Sequence, residues 1–156
     1  MPDKETIERA QEDAREGKSP STQAGEFVRE EMDHIREGKH GAASTKQAIA
    51  IGLSKARRAG VKLPPPKAST TSPQVRKKAE RDSERGQSNP GRKPSATRSR
   101  AVEKALKKEG HSAASHAALS KQAKQAAAKR GGSARSQSAK KAARTRARGG
   151  HNRYGK

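Results

Sequence analysis

Large apolar side chains are unevenly distributed along this chain, and their distribution limits where a core can form. Among Val, Ile, Leu, Phe and Met after the first residue, ten lie in residues 2–66 and four in residues 67–156. A buried aliphatic side chain contributes roughly 1.5–3 kcal/mol, whereas fixing the backbone of one residue costs about 1–2 kcal/mol. We therefore expect a packed core in the first part of the chain only.

Charge divides the chain in a similar way. Residues 1–60 carry 11 basic and 11 acidic residues, whereas residues 61–156 carry 26 basic and 5 acidic, so the net charge of +21 arises in the second part. Residues 110–156 contain 12 Lys and Arg and no Asp or Glu. Such a segment repels itself, and a nucleic acid relieves the repulsion while releasing the counterions condensed on its phosphates.

Glycine residues recur along the chain and separate stretches with helical periodicity. Apolar residues three or four apart predict helices over 4–16, 21–37 and 44–60. Ser44 and Gln47 have the S-x-x-Q spacing of a capping box, which predicts the start of the third helix. Further helices, rich in Ala, Lys, Arg and Gln, are predicted over 73–85, 96–109, 113–130 and 134–148.

These patterns predict a mostly α protein with three parts. A small, marginally stable head of about three helices occupies residues 1–63, and a Pro-rich linker follows over 64–72. Residues 73–156 form a basic tail. We expect this tail to be largely disordered with transient helices, because helix propensity without packing does not stabilise a single helix.

The stretch "AIAIGLSKARRAGV", residues 48–61, has two interpretations. One is a continuous helix that tolerates a small residue at Gly52. The other is a DNA-reading helix-turn-helix, whose Ala-x-x-x-Gly-apolar-Ser skeleton matches from Ala48 to Ser54. Arg58 stands where that motif needs an inward aliphatic side chain, so the continuous helix is favoured.

The cations of the tail are the candidate phosphate contacts, and their roles are interchangeable. They are Lys121, Lys124, Lys129, Arg130, Arg135, Lys140, Lys141, Arg144, Arg146, Arg148 and Arg153. Lys55, Arg57 and Arg58 on the third predicted helix either make additional phosphate contacts or pair with acidic residues of the second. Those acidic residues are Glu30, Glu31 and Asp33.

Other chemistries have little support in the sequence. The absence of Cys excludes thiolate metal sites and Cys nucleophiles, and two aromatic residues are too few for base-stacking modules. Of the five histidines, His34, His40, His111, His116 and His151, only His111 and His116 are close in sequence, and at five residues apart they do not share a helical face. We therefore expect all five to be solvated and expect no metal or other cofactor. Nothing in the sequence supplies a base and oxyanion donors around a nucleophile, so we expect no enzymatic activity.

Two segments resemble known proteins. The block "REGKHGAASTKQAIAIGLSKARRAGVKLP", residues 36–64, resembles a signature of small, basic, uncharacterised bacterial proteins that are often labelled DNA-binding. The tail sequence "SARSQSAKKAARTRARGG" is similar in composition to the tails of linker histones and bacterial histone-like proteins. The first resemblance implies a bacterial cytoplasmic setting, and the second implies at most non-specific DNA compaction.

The functional hypothesis is non-specific DNA binding by the tail, in a nucleoid-associated or compacting role in the cytoplasm. RNA is a second candidate partner, and the head is a candidate for self-association. Two alternatives stay open: a disordered stress-protective protein, and a basic protein that associates with structured RNA or ribosomes. No stretch of apolar residues is long enough to span a membrane, so we expect no membrane partner.

Overall fold

The computed structural model of this 156-residue chain describes the backbone of residues 2–90 and 95–149 and the side chains as far as residue 147. Within those ranges the protein is mostly helical and has no strand, which confirms the mostly α class. The helices are α1 (Lys4–Arg15), α2 (Pro20–Arg36), α3 (Thr45–Arg58), α4 (Pro73–Ser88), α5 (Ala96–Leu106) and α6 (His116–Gly149).

Local signals set the helix ends close to the predicted positions. The chain turns with a positive φ at Gly17, Gly38 and Gly60, directly after the first three helices. At the start of α3 the Ser44 hydroxyl accepts a hydrogen bond from the Gln47 amide at 3.2 Å, as the capping box predicts. The three head helices are therefore confirmed.

A small core joins α1, α2 and α3. Phe27 and Ile35 of α2 are fully buried, and Phe27 clusters with Ala10, Ala56 and Val61. The partly buried side chains of Ile7, Leu53, Ala59 and Leu63 pack against this cluster. The single Phe of the chain thus lies in the core.

The face of α3 that meets α2 is made of small residues. Ala48, Gly52 and Ala56 are buried at successive turns, whereas Ile49 is only partly buried. A Cβ atom at Gly52 would lie 2.7 Å from the Cα atom of Val28, so any side chain at this position would force the two helix backbones to move apart. The helix is continuous through Gly52, which confirms the favoured interpretation and argues against a helix-turn-helix.

The prediction of a largely disordered tail is wrong over the described part of residues 73–156. Helix α4 packs on α3 through Ala79 and Gly86, where a Cβ atom would collide with the carbonyl oxygen of Arg57. The Asp82 carboxylate accepts a hydrogen bond from the Ser54 hydroxyl at 2.6 Å. A count of large aliphatic residues misses this contact, because it is built from small and polar side chains.

The segment after α5 also packs against the head. The amide of Gly41 donates to the carbonyl of Leu106 at 2.9 Å, and the Thr45 hydroxyl donates to the carbonyl of Ala113 at 2.7 Å. Ala113 and Ala114 are both buried. Because both bonds end on backbone carbonyls, side-chain hydrophobicity gives no sign of them.

The chain divides into two compact units, Met1–Ala118 and Leu119–Lys156. The predicted linker over 64–72 lies within the first unit. The second unit contains most of α6, which is interrupted at Gly131, where φ is 71°. None of the helices in the described part of the chain combines the length and the apolar character that a membrane span requires.

Candidate functional site

Nine of the eleven predicted phosphate-binding cations lie on α6 with exposed side chains. They are Lys121, Lys124, Lys129, Arg130, Arg135, Lys140, Lys141, Arg144 and Arg146. Arg148 is within the helix but its side chain lies outside the described residues, as does the whole of Arg153. Because the unit Leu119–Lys156 contains no Asp or Glu, these cations have no acidic side chain to pair with within it.

The cations of α6 are distributed around the helix axis. At about 100° per residue, Arg135, Lys140 and Lys141 point in three directions that are separated by roughly 100–140°. The Ser115 hydroxyl caps the helix by accepting from the amide of Ala118 at 3.2 Å. An all-round array of charge suits contact with phosphates on several sides and provides no distinct face for reading bases.

The three further candidate cations lie on α3, in the other unit, and each already has a partner. Arg57 is 7% exposed and donates to the carbonyl of Pro64 at 3.3 Å. Arg58 lies 3.7 Å from the Asp82 carboxylate and donates to the Ser54 hydroxyl at 3.0 Å. Phosphate contact by these residues stays a prediction, and a phosphate would have to compete with the existing partners.

Lys55 is the centre of a buried ion-pair cluster with two carboxylates of α2. Its Nζ atom lies 3.0 Å from Glu30 Oε1 and 2.7 Å from Glu31 Oε2, and both carboxylates are almost fully buried. Pairing of Lys55 with acidic residues of the second helix was one of the two alternatives that the sequence left open, the other being phosphate contact. Burial alone would lower the pKa of Lys55, but the close carboxylates of Glu31 and Glu30 outweigh it and raise that pKa above its ordinary value.

Two histidines extend this cluster. His34 Nε2 lies 3.3 Å from Asp3 Oδ2, and His40 Nε2 lies 3.4 Å from Glu31 Oε1. Their side chains are only 13% and 14% exposed, so the expectation of solvated histidines is wrong for these two. The spacing of Glu31 and His34, three residues apart on one helix, is the sequence signal that could have drawn attention to them.

Comparison with known protein families shows one similarity, to a family of unknown function. The model of that family, DUF6496, matches residues 15–67, about a third of the chain, which include α2, α3 and the ion-pair cluster. The chain is similar to this family over that segment alone. Searches among curated proteins and among solved structures gave no match.

Proposed function

We propose that this protein binds nucleic acid, with DNA favoured, through contacts between the cations of α6 and the phosphate backbone, without reading base sequence. The observation that carries the proposal is the charge of the unit Leu119–Lys156. Its nine described Lys and Arg side chains are all exposed, and the unit has no acidic residue. Lys55, Arg57 and Arg58 of α3 are bound to carboxylates or carbonyls, and the exposed cations of α4 and α5 are interspersed with Asp and Glu. Among the described helices, α6 therefore has the highest density of positive charge that no acidic residue balances.

The form of α6 also supports backbone contact. The major groove of B-DNA is wide enough to admit an α-helix, and phosphates border it on both sides. A helix with cations around its whole circumference meets both rows of phosphates whichever way it is rotated. Base-specific contacts need side chains fixed on one face, and α6 has no such arrangement. We therefore propose a nucleoid-associated or compacting role rather than regulation at particular sites.

Structured RNA is the second candidate ligand, because the same phosphates line its surface. The packed head and the helical tail do not favour the alternative of a disordered protective protein. Phe27 is the only Phe, Tyr or Trp among the described residues, and it is buried, so none of these rings is exposed there as a platform for unpaired bases. Binding to RNA would therefore also depend on phosphate contacts. Because the protein would then bind RNA and DNA with similar affinities, affinity measurements alone would not identify the natural ligand.

The test compares the full chain with a variant in which the nine described cations of α6 are replaced by Gln. Fluorescence anisotropy is measured with two DNA duplexes of unrelated sequence and one RNA duplex, at about 0.15 M salt. We expect the wild-type chain to bind both DNA duplexes with similar affinity and the variant to lose nearly all binding. Equal binding by the variant would refute the assignment to α6. Sequencing the nucleic acid crosslinked to the protein in cells then identifies the natural ligand.

A further inference from the structure

We propose that Glu31, His34 and His40 bind a divalent transition-metal ion, with Zn²⁺ as the probe. Each of these residues offers one ligand atom, and the three atoms lie within 4.8 Å of one another. Glu31 and His34 share one face of α2, and the turn at Gly38 brings His40 back to that face. A backbone hydrogen bond of 3.0 Å from the Lys39 amide to the carbonyl of His34 holds this turn.

The Glu31 carboxylate is the feature that most needs a ligand. Its side chain is fully buried, and neither oxygen accepts a hydrogen bond of acceptable geometry. Lys55 Nζ approaches one oxygen, Oε2, to 2.7 Å, while the other, Oε1, faces His40. A buried carboxylate without hydrogen bonds is costly. A cation bound between Oε1 and His40 would satisfy the oxygen that Lys55 leaves without a close partner.

The spacing and chemistry of these groups suit a tetrahedral ion. Two imidazoles and one carboxylate form a donor set that Zn²⁺ commonly takes. Ligands at about 2.1 Å from a tetrahedral centre are about 3.4 Å apart, and Glu31 Oε1 and His40 Nε2 are separated by 3.4 Å. The protein supplies three ligands, so the fourth position is open to water.

Neighbouring carboxylates support the site from outside. Asp3 Oδ2 lies 3.3 Å from His34 Nε2, and Glu30 Oε1 lies 4.0 Å from His34 Nδ1. In the proposed site Nδ1 would bind the ion, with Asp3 on the outer nitrogen. A carboxylate on the outer nitrogen of a ligating histidine fixes the orientation of its ring. Asp3, Glu30 and His34 also line an open polar cleft, which gives an ion a path from solvent. The cleft is lined by five carboxylates and three cations, Arg9, Arg29 and Lys39, so its net charge is negative and attracts a cation.

The test is a titration of the full chain with ZnCl₂, in which isothermal titration calorimetry measures binding. We expect one saturable site, and at least about 100-fold weaker binding in His34→Gln and in His40→Gln, since even outer partners of metal ligands change affinity by 10–100-fold. The matched control is His111→Gln/His116→Gln, whose histidines are exposed and which should bind as the wild type does. Co²⁺ in place of Zn²⁺ should give the intense visible absorption of a tetrahedral site.

A second variant distinguishes a metal site from a merely structural cluster. Lys55→Met removes an ammonium group that competes with the ion for Glu31, so we expect it to bind Zn²⁺ at least about tenfold more tightly. A purely structural cluster would give no such gain. The proposal is overturned if the wild type shows no saturable Zn²⁺ binding, or if His40→Gln, verified as helical by circular dichroism, binds as the wild type does. None of these variants alters α6, so the outcome is independent of nucleic-acid binding.

Discussion

Replacement of Lys55 by Met tests the buried ion-pair cluster quantitatively. Removing one partner of a buried ion pair typically costs about 3–5 kcal/mol, because a charge is left uncompensated. Glu30 keeps a hydrogen bond from the Asp3 amide at 3.1 Å, whereas Glu31 keeps only His40 at 3.4 Å. Met preserves most of the packing volume. We therefore expect the lower end of that range, a loss of about 3 kcal/mol from the free energy of unfolding.

The assay is urea unfolding followed by circular dichroism at 222 nm, with EDTA present. The midpoint should fall at an unchanged m-value, since the surface exposed on unfolding is the same. Lys46→Met, on an exposed position of the same helix, is the control and should stay within about 0.5 kcal/mol of the wild type. Adding Glu31→Gln to Lys55→Met should recover part of the loss. A loss below about 1 kcal/mol in Lys55→Met would refute the argument that this charge pairing is required.

Three further predictions follow from the head. Gly52→Ala should destabilise it by about 1–3 kcal/mol, because the added methyl group meets the Val28 backbone. In the matched control Gly25→Ala, the added Cβ has no neighbour within 4 Å, so this change should stabilise the head by roughly 0.5–1 kcal/mol in the same urea assay. Equal changes in unfolding free energy for the two variants would contradict the close approach of α2 and α3. Ser44→Ala should cost about 1 kcal/mol of unfolding free energy by loss of the N-cap, and no change would disprove the cap. Because the pKa of Lys55 is raised in the folded state, its contribution to stability should be complete below about pH 10.5 and should disappear as the pH rises through the folded-state pKa. If the unfolding free energy of Lys55→Met changed with pH in parallel with that of the wild type, this prediction would be contradicted.

The positions of the helices could be predicted from sequence because they depend on neighbours in the chain. Gly17, Gly38 and Gly60 end helices by adopting positive φ, and Ser44 caps the next one. These signals act within a few residues and need no tertiary information. The cations of α6 were predicted as candidate phosphate contacts, and nine of them have exposed side chains. Their contact with phosphate stays a prediction.

Packing of the tail could not be predicted by counting large apolar residues. Gly86 and Ala79 make the contact of α4 with α3 by allowing a close approach, and their small size hides them from any measure of hydrophobicity. The place of His40 beside Glu31 was missed for another reason. His40 lies in the turn after α2, so only the folded chain shows that it is a neighbour of Glu31.

The salt dependence of DNA affinity tests the central claim most directly. With nine phosphates neutralised by α6, the slope of log K against log salt concentration should be about −8, and affinity should fall roughly 100,000-fold between 50 and 200 mM. Replacing Lys140, Lys141, Arg144 and Arg146 by Gln should reduce the slope to about −4.5. A slope near zero for the wild-type chain, or the same slope for both proteins, would contradict binding through the cations of α6.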